Sequence, residues 1–243
     1  MEYKLRYSQY NERSILIEWP AIIDENILES ILNFKKKVSK NCIKQIVDII
    51  HTYNSILIIY DLTIENINDR FIELKALLKR QSEATAMTSN HWEIPVCYDD
   101  EFGTDLEAFS IEKKMPKAEI IERHTKDSYT VFFIGFLPGF LYLGGLDTKL
   151  HLDRKKTPNL DVKKGAVGIG GQQTGIYPQD SPGGWHIIGQ TPVELFNAAY
   201  DSPCPIQAGD ILKFVPIKKQ TYFDIESQIA RATFQLKPIA PND

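Results

Sequence analysis

Two hydrophobic periods alternate along this chain, and each change of period marks an element. Ser14–Trp19 carries Ile15 and Ile17 in a strand pattern that Pro20 ends. A shorter alternating run, Tyr3–Gln9, precedes it across a turn at Asn11-Glu12-Arg13. From Asp24, a good N-cap, Ile27, Leu28, Ile31 and Phe34 recur at helical spacing to about Val38, with three lysines from Lys35 in the last turn. Ile43–Ile50 and Ser55–Tyr60 read as a hairpin rich in β-branched residues. An amphipathic helix from about Asn68 to Gln81 follows, with Phe71, Leu74, Leu77 and Leu78 on one face. The order β-β-α-β-β-α suits helices packed on one side of an antiparallel sheet. Ser82–Asn90 is small and polar and reads as a linker.

The second part opens on a strand, His91–Tyr98, and an acidic loop at 99–103. A helix from Thr104 or Asp105 to about Lys114 comes next, then a second begun by Pro116 and ending near His124. Tyr129–Phe136 is an apolar strand. Beyond it come turns and short strands, at Ala166–Ile169, Gly175–Tyr177, His186–Ile188 and Ile211–Pro216, a spacing that suggests a closed or nearly closed β-barrel. A last helix, Thr221–Ala232, leads to a Pro-containing tail expected to fray.

Glycine sharpens this picture. Of 14 glycines one is Gly103 and the other 13 lie between Gly135 and Gly209. Phe, Tyr and Trp are interleaved with them, so a stiff wall of turns carrying flat apolar faces is expected. Length and charge add bounds. The 243 residues suffice for one large domain or two small ones, and the net charge of -4 argues against a nucleic-acid surface. No apolar run approaches the about 20 residues of a membrane span, and no apolar signal region begins the chain, so a cytoplasmic protein is expected. Cys42, Cys97 and Cys204 suggest neither a disulfide framework nor a CxxC site.

Common chemistries were tested against the residues. Gly168-Ile-Gly170 begins a GxGxxG, but Gln173 takes the sixth position and no amphipathic helix follows. No GxxxxGK[ST] exists, so this chain alone is not expected to bind ATP by a P-loop. Ser181, in Asp-Ser-Pro-Gly, is not a GxSxG nucleophile. The five histidines lack HxxxH or HxxH spacing, and no metal site is expected. His124 and His186 are candidate acids or bases, and Arg154 could hold a carboxylate or phosphate bidentately. No complete catalytic set emerges.

Three segments carry a resemblance. They are Gly-Phe-Leu-Pro-Gly-Phe-Leu-Tyr-Leu-Gly-Gly-Leu (135–146), Gly-Gly-Gln-Gln-Thr-Gly-Ile-Tyr-Pro (170–178) and Ser-Pro-Gly-Gly-Trp-His-Ile-Ile-Gly-Gln-Thr-Pro (181–192). Here the chain resembles the KipI / allophanate hydrolase subunit 1 family, most clearly from about His124 to Pro216. The resemblance implies an N-terminal ferredoxin-like α/β domain at 1–85 and a mostly β, cyclophilin-like barrel domain at 86–243. It implies a subunit, inactive alone, that with C and A partner subunits cleaves 5-oxoproline to glutamate using ATP. The alternative it implies is a protein that binds a sensor histidine kinase and blocks its autophosphorylation. The groove for substrate or partner would draw on Phe136, Pro138, Phe140, Tyr142, Arg154, Gln173, Thr174, Tyr177, Ser181, Trp185, Gln190 and Thr191. Asn159 and Gln190 stand where the family usually has arginine, and Lys155 replaces another.

Overall fold

The structure, a computed structural model, describes residues 3–42, 45–80 and 89–239. The chain divides into two compact units, Met1–Met87 and Thr88–Asp243. Most of the linker expected at Ser82–Asn90 lies outside the described residues, as do the side chain of Cys42 and the start of the strand expected from Ile43.

The first unit runs β1 (Arg6–Asn11), β2 (Ser14–Glu18), α1 (Glu25–Cys42), β3 (Ile46–His51), β4 (Ser55–Tyr60) and α2 (Ile67–Lys79). Its sheet has the order β1-β2-β4-β3, with every pair antiparallel. Period-2 burial puts Ile15, Ile17, Ile56 and Ile58 on one face, where Ile27, Ile31 and Phe34 of α1 and Leu74 and Leu77 of α2 cover them. The Asp24 carboxylate accepts from the amides of Asn26 and Ile27, as an N-cap should. Helix α1 runs a full turn past Val38, because no glycine or proline interrupts it before Cys42. Helix α2 starts earlier than expected: the Asn66 side chain caps the amides of Asn68 and Asp69.

The second unit runs β5 (His91–Cys97), α3 (Leu106–Lys113), α4 (Lys117–Lys126), β6 (Ser128–Ile134), β7 (Leu141–Gly144), β8 (Asn159–Val162), β9 (Ala166–Gly170), β10 (Gln173–Ile176), β11 (Ser181–Gly183), β12 (His186–Gln190), β13 (Ile211–Ile217) and α5 (Lys219–Ala230). Seven strands close a barrel in the order β10-β7-β6-β13-β5-β12-β9, with β9 and β10 joined as a hairpin. Strand β13 runs parallel to β5, and every other barrel pair is antiparallel. Ile94, Val96, Val131, Leu141, Leu143, Val167, Ile169, Ile176, Leu212 and Phe214 fill the interior, joined by Phe109 of α3 and Ile120 of α4.

Three strands were not legible. β7 hides its Leu-Tyr-Leu alternation among glycines, and β8 and β11 pair with each other outside the barrel, β11 around Pro182. The tail departs from expectation too. Instead of fraying at once it returns to the barrel, and the Ile239 amide donates to the His91 carbonyl at 2.8 Å.

Candidate functional site

The outward face of β9 and β10 is nearly bare. Gly168 and Gly170 alternate with inward Val167 and Ile169, and Gly175 lies opposite Gly168 across the ladder. The indole of Trp185 lies on this floor. A Cβ on Gly170 would stand 2.5 Å from Trp185 Cδ1, and one on Gly175 would stand 2.9 Å from Trp185 Cζ3 and 2.5 Å from the Leu141 carbonyl oxygen. Only glycine lets the ring approach the sheet this closely.

Around Trp185 the other rings lock edge to face. Phe140 meets Trp185 at 5.4 Å and Tyr177 at 5.0 Å, with interplanar angles of 83° and 87°. Tyr142 reaches Trp185 at 5.8 Å and stacks on Phe133 at 4.1 Å. The segments that carry these rings are far apart in sequence and converge in one cluster with Val162, Ala166 and Ile187. They do not line an open groove, however. Phe140, Tyr177 and Trp185 are buried, so the cluster is the wall's own core and what faces solvent is its rim. Burial drives the Tyr177 phenol up to about 12, and the Trp185 amide hydrogen-bonded to it pulls the other way.

The rim carries the candidate chemistry. Arg154 is exposed, with its guanidinium 5.7 Å from the Trp185 ring centroid, and no carboxylate pairs with it among the described residues. Gln173 stands on the outward face of β10, beside Gly170 in register. Its Oε1 is buried and has no hydrogen-bond partner among the described residues, and the same holds for Ser181 Oγ on β11. Phe136 is 66% exposed and held at φ +66° in the turn after β6, its ring edge-on to Phe140 at 5.7 Å. Pro138 is exposed in the same turn.

Lys155 has already been used. Its ammonium pairs with Asp105 Oδ1 at 2.6 Å, while Asp105 Oδ2 accepts from the Ile187 amide at 2.8 Å. Asp105 thus braces the Trp185 strand to the Arg154 loop, a role that sequence reading missed because the residue looked only like a helix start. Gln190 donates to the Lys164 carbonyl at 2.7 Å, and Thr191 Oγ1 accepts from the Val193 amide at 3.2 Å. Both hold turns and lie apart from the rim cluster. Asn159 sits at the head of β8, where its Oδ1 accepts from the Asp161 amide.

His124 and Thr174 belong to the barrel interior. Thr174 Oγ1 donates to the Gly168 carbonyl at 3.0 Å, so it accepts from His124 Nε2 at 2.9 Å, and Nδ1 accepts from the Tyr98 hydroxyl at 2.8 Å. The imidazole stacks on Phe214 at 4.5 Å and is fully buried. Desolvation lowers its pKa to about 3, so it stays neutral at physiological pH. His124 is a satisfied interior group with no path to the outer rim. His186 is different: half-buried, it donates from Nε2 to the Asp153 carbonyl at 2.9 Å and lies edge-on to Phe109, next to the Arg154 loop. Among the described residues no group of three or more His, Cys, Asp or Glu is placed to hold a metal, and no helix is long and apolar enough to cross a membrane.

Comparison with known families covers most of the chain. Residues 5–206 match the carboxyltransferase domain, subdomain C and D. The chain belongs to this family. Among the carboxyltransferase-domain proteins similar to it are two named as the B component of 5-oxoprolinase. One, from Bacillus subtilis, is 45% identical over 54% of each chain. The other, from Escherichia coli O157:H7, is 44% identical over 57% of this chain and 64% of its own. The matched segments therefore span about half to two thirds of these relatives. In fold, the chain is similar to the urea amidolyase of K. lactis, with a TM-score of 0.83 over 98% of this chain and 16% of that one, at 19% identity.

Proposed function

We propose that this chain is the B component of an ATP-dependent 5-oxoprolinase, which opens the lactam of 5-oxo-L-proline to L-glutamate only in complex with C- and A-type partner subunits in the cytoplasm. The observation that carries this reading is the 44–45% identity to proteins named as that component. The rim chemistry supports it. 5-Oxoproline offers one carboxylate and one lactam N–H. The unpaired guanidinium of Arg154, stacked on Trp185, suits a carboxylate bidentately. The unpartnered Gln173 Oε1 and Ser181 Oγ are the acceptors for a lactam N–H. An unstrained lactam needs its carbonyl activated. ATP would supply that by phosphorylation, and with no nucleotide motif here the nucleotide falls to a partner.

Phe136 faces that partner in this reading. A non-glycine residue at positive φ costs on the order of 1 kcal/mol, a strain tolerated where an exposed ring has to be presented. We also read the first unit as a ferredoxin-like sheet whose outer strand β1 comes before rather than after the split β-α-β, and the barrel as cyclophilin-like. The test is co-expression with the C and A partners. The complex should co-purify and release glutamate from 5-oxoproline only with ATP. Failure of both assembly and turnover would refute the proposal.

A further inference from the structure

The first unit has a cavity that the reading above does not use. Its volume is about 560 Å³, within the range of small-molecule sites. The topology explains it. Helices α1 and α2 cover β2, β4 and β3, but β1 is the edge strand and its inward side chains are only half-covered. Tyr3, Leu5 and Tyr7 repeat at period 2 and form one wall. The last turns of α2 form the facing wall, with Leu78 between two lysines, Lys75 and Lys79. Trp19 closes the base, its indole N–H donating to Ser30 Oγ at 3.1 Å.

Two features of this cavity are not explained by folding. The Tyr7 hydroxyl is buried and has no hydrogen-bond partner among the described residues. A stranded polar atom of this kind costs stability unless something fills it. Burial also raises the Tyr7 pKa, which keeps the phenol neutral and available as a donor. The second feature is charge. No acidic side chain lines the cavity, and among the described residues neither Lys75 nor Lys79 has a carboxylate partner. Lys75 instead sits over the Tyr7 ring, its Nζ 5.1 Å from the centroid.

From this arrangement we infer that the first unit binds a small carboxylate with an aromatic or branched apolar body. The carboxylate lies against Lys75 and Lys79 and accepts the Tyr7 hydroxyl, and the apolar body fills the space between Leu5, Trp19 and Leu78. This site is separate from the Arg154 rim and does not depend on the 5-oxoprolinase reading.

Phenylacetate and its neutral isostere phenylacetamide, titrated into the full chain and followed by amide NMR, test the inference. Phenylacetate should shift the resonances of Leu5, Tyr7, Trp19 and Lys75 together, with a single Kd. Phenylacetamide should bind at least tenfold more weakly. The double substitution K75Q/K79Q should weaken phenylacetate about tenfold or more, whereas K164Q, on the barrel unit, should not. Tyr7→Phe should weaken binding severalfold while leaving Tm unchanged or higher, because it deletes an unpartnered hydroxyl. A Tm loss in Tyr7→Phe would show that the hydroxyl serves the fold instead. Equal affinity for acid and amide, shifts scattered away from this cavity, or full affinity in the double variant would overturn the inference.

Discussion

The two faces of the β9–β10 hairpin present opposite solutions to the same problem. Inward, Thr174 completes a chain from Tyr98 through His124 to the Gly168 carbonyl in which every donor has an acceptor. Outward, one residue away on each side, Gln173 has an unpartnered oxygen and Gly175 has no side chain at all. A strand's period of two lets one hairpin build a closed core and an open rim at once. Full satisfaction marks the structural face, and unmet polar capacity marks the face turned toward a ligand or partner. Substitutions on the two faces should therefore separate stability from activity.

The largest effect is expected inside. His124→Ala removes a buried ring and leaves the Tyr98 hydroxyl and Thr174 without their shared partner, so urea denaturation should show a loss of about 3–5 kcal/mol. Gly175→Ala comes next. Its new Cβ would meet the backbone oxygen of Leu141, which cannot swing aside, and a loss of about 3 kcal/mol is expected in the same measurement. A cost below about 1 kcal/mol would mean that the floor is soft and that Trp185 is not pinned by it.

The interior histidine also sets a pH dependence. Its folded pKa is about 3 against an ordinary 6.5, so between these values the unfolded chain binds a proton that the folded chain does not. Stability should be full above pH 6.5 and fall by about 1.4 kcal/mol per pH unit as the pH drops below it. Asp147, Asp180 and Glu194 are held below their ordinary ranges, chiefly by hydrogen bonds that favour the carboxylate, and act in the same direction at lower pH. Urea midpoints between pH 7 and 5 isolate the histidine, and a flat profile there would contradict its buried neutral state. The smallest effect is expected outside. Ser181→Ala deletes a hydroxyl with no partner, so stability should stay within about 0.5 kcal/mol or rise. A loss above 1 kcal/mol would place Ser181 among the structural groups.

This division also explains what the sequence could reveal. Strands and helices with clean periods, from Ile15 and Ile17 to Leu74 and Leu77, were legible because each has one buried face. The clustering of Phe140, Tyr177 and Trp185 was legible from glycines and rings crowded between residues 135 and 192. That these rings would be buried rather than groove-lining was not, because the floor that receives them depends on glycines at matched ladder positions, a relation fixed by register. The place of His124 was equally hidden. Its partners Tyr98, Thr174 and Phe214 come from three strands whose approach only the closed barrel creates. Asp105 illustrates the same limit, since its link to Lys155 and Ile187 spans 50 and 82 positions.

Arg154 gives the most direct test, because it is the one rim cation that the fold has left without a carboxylate among the described residues. In the reconstituted complex, Arg154→Gln should raise the KM for 5-oxoproline tenfold or more while the chain's unfolding midpoint stays where it was. Unchanged KM, or a loss of activity that merely follows a loss of folded protein, would contradict the assignment of substrate recognition to the outer face.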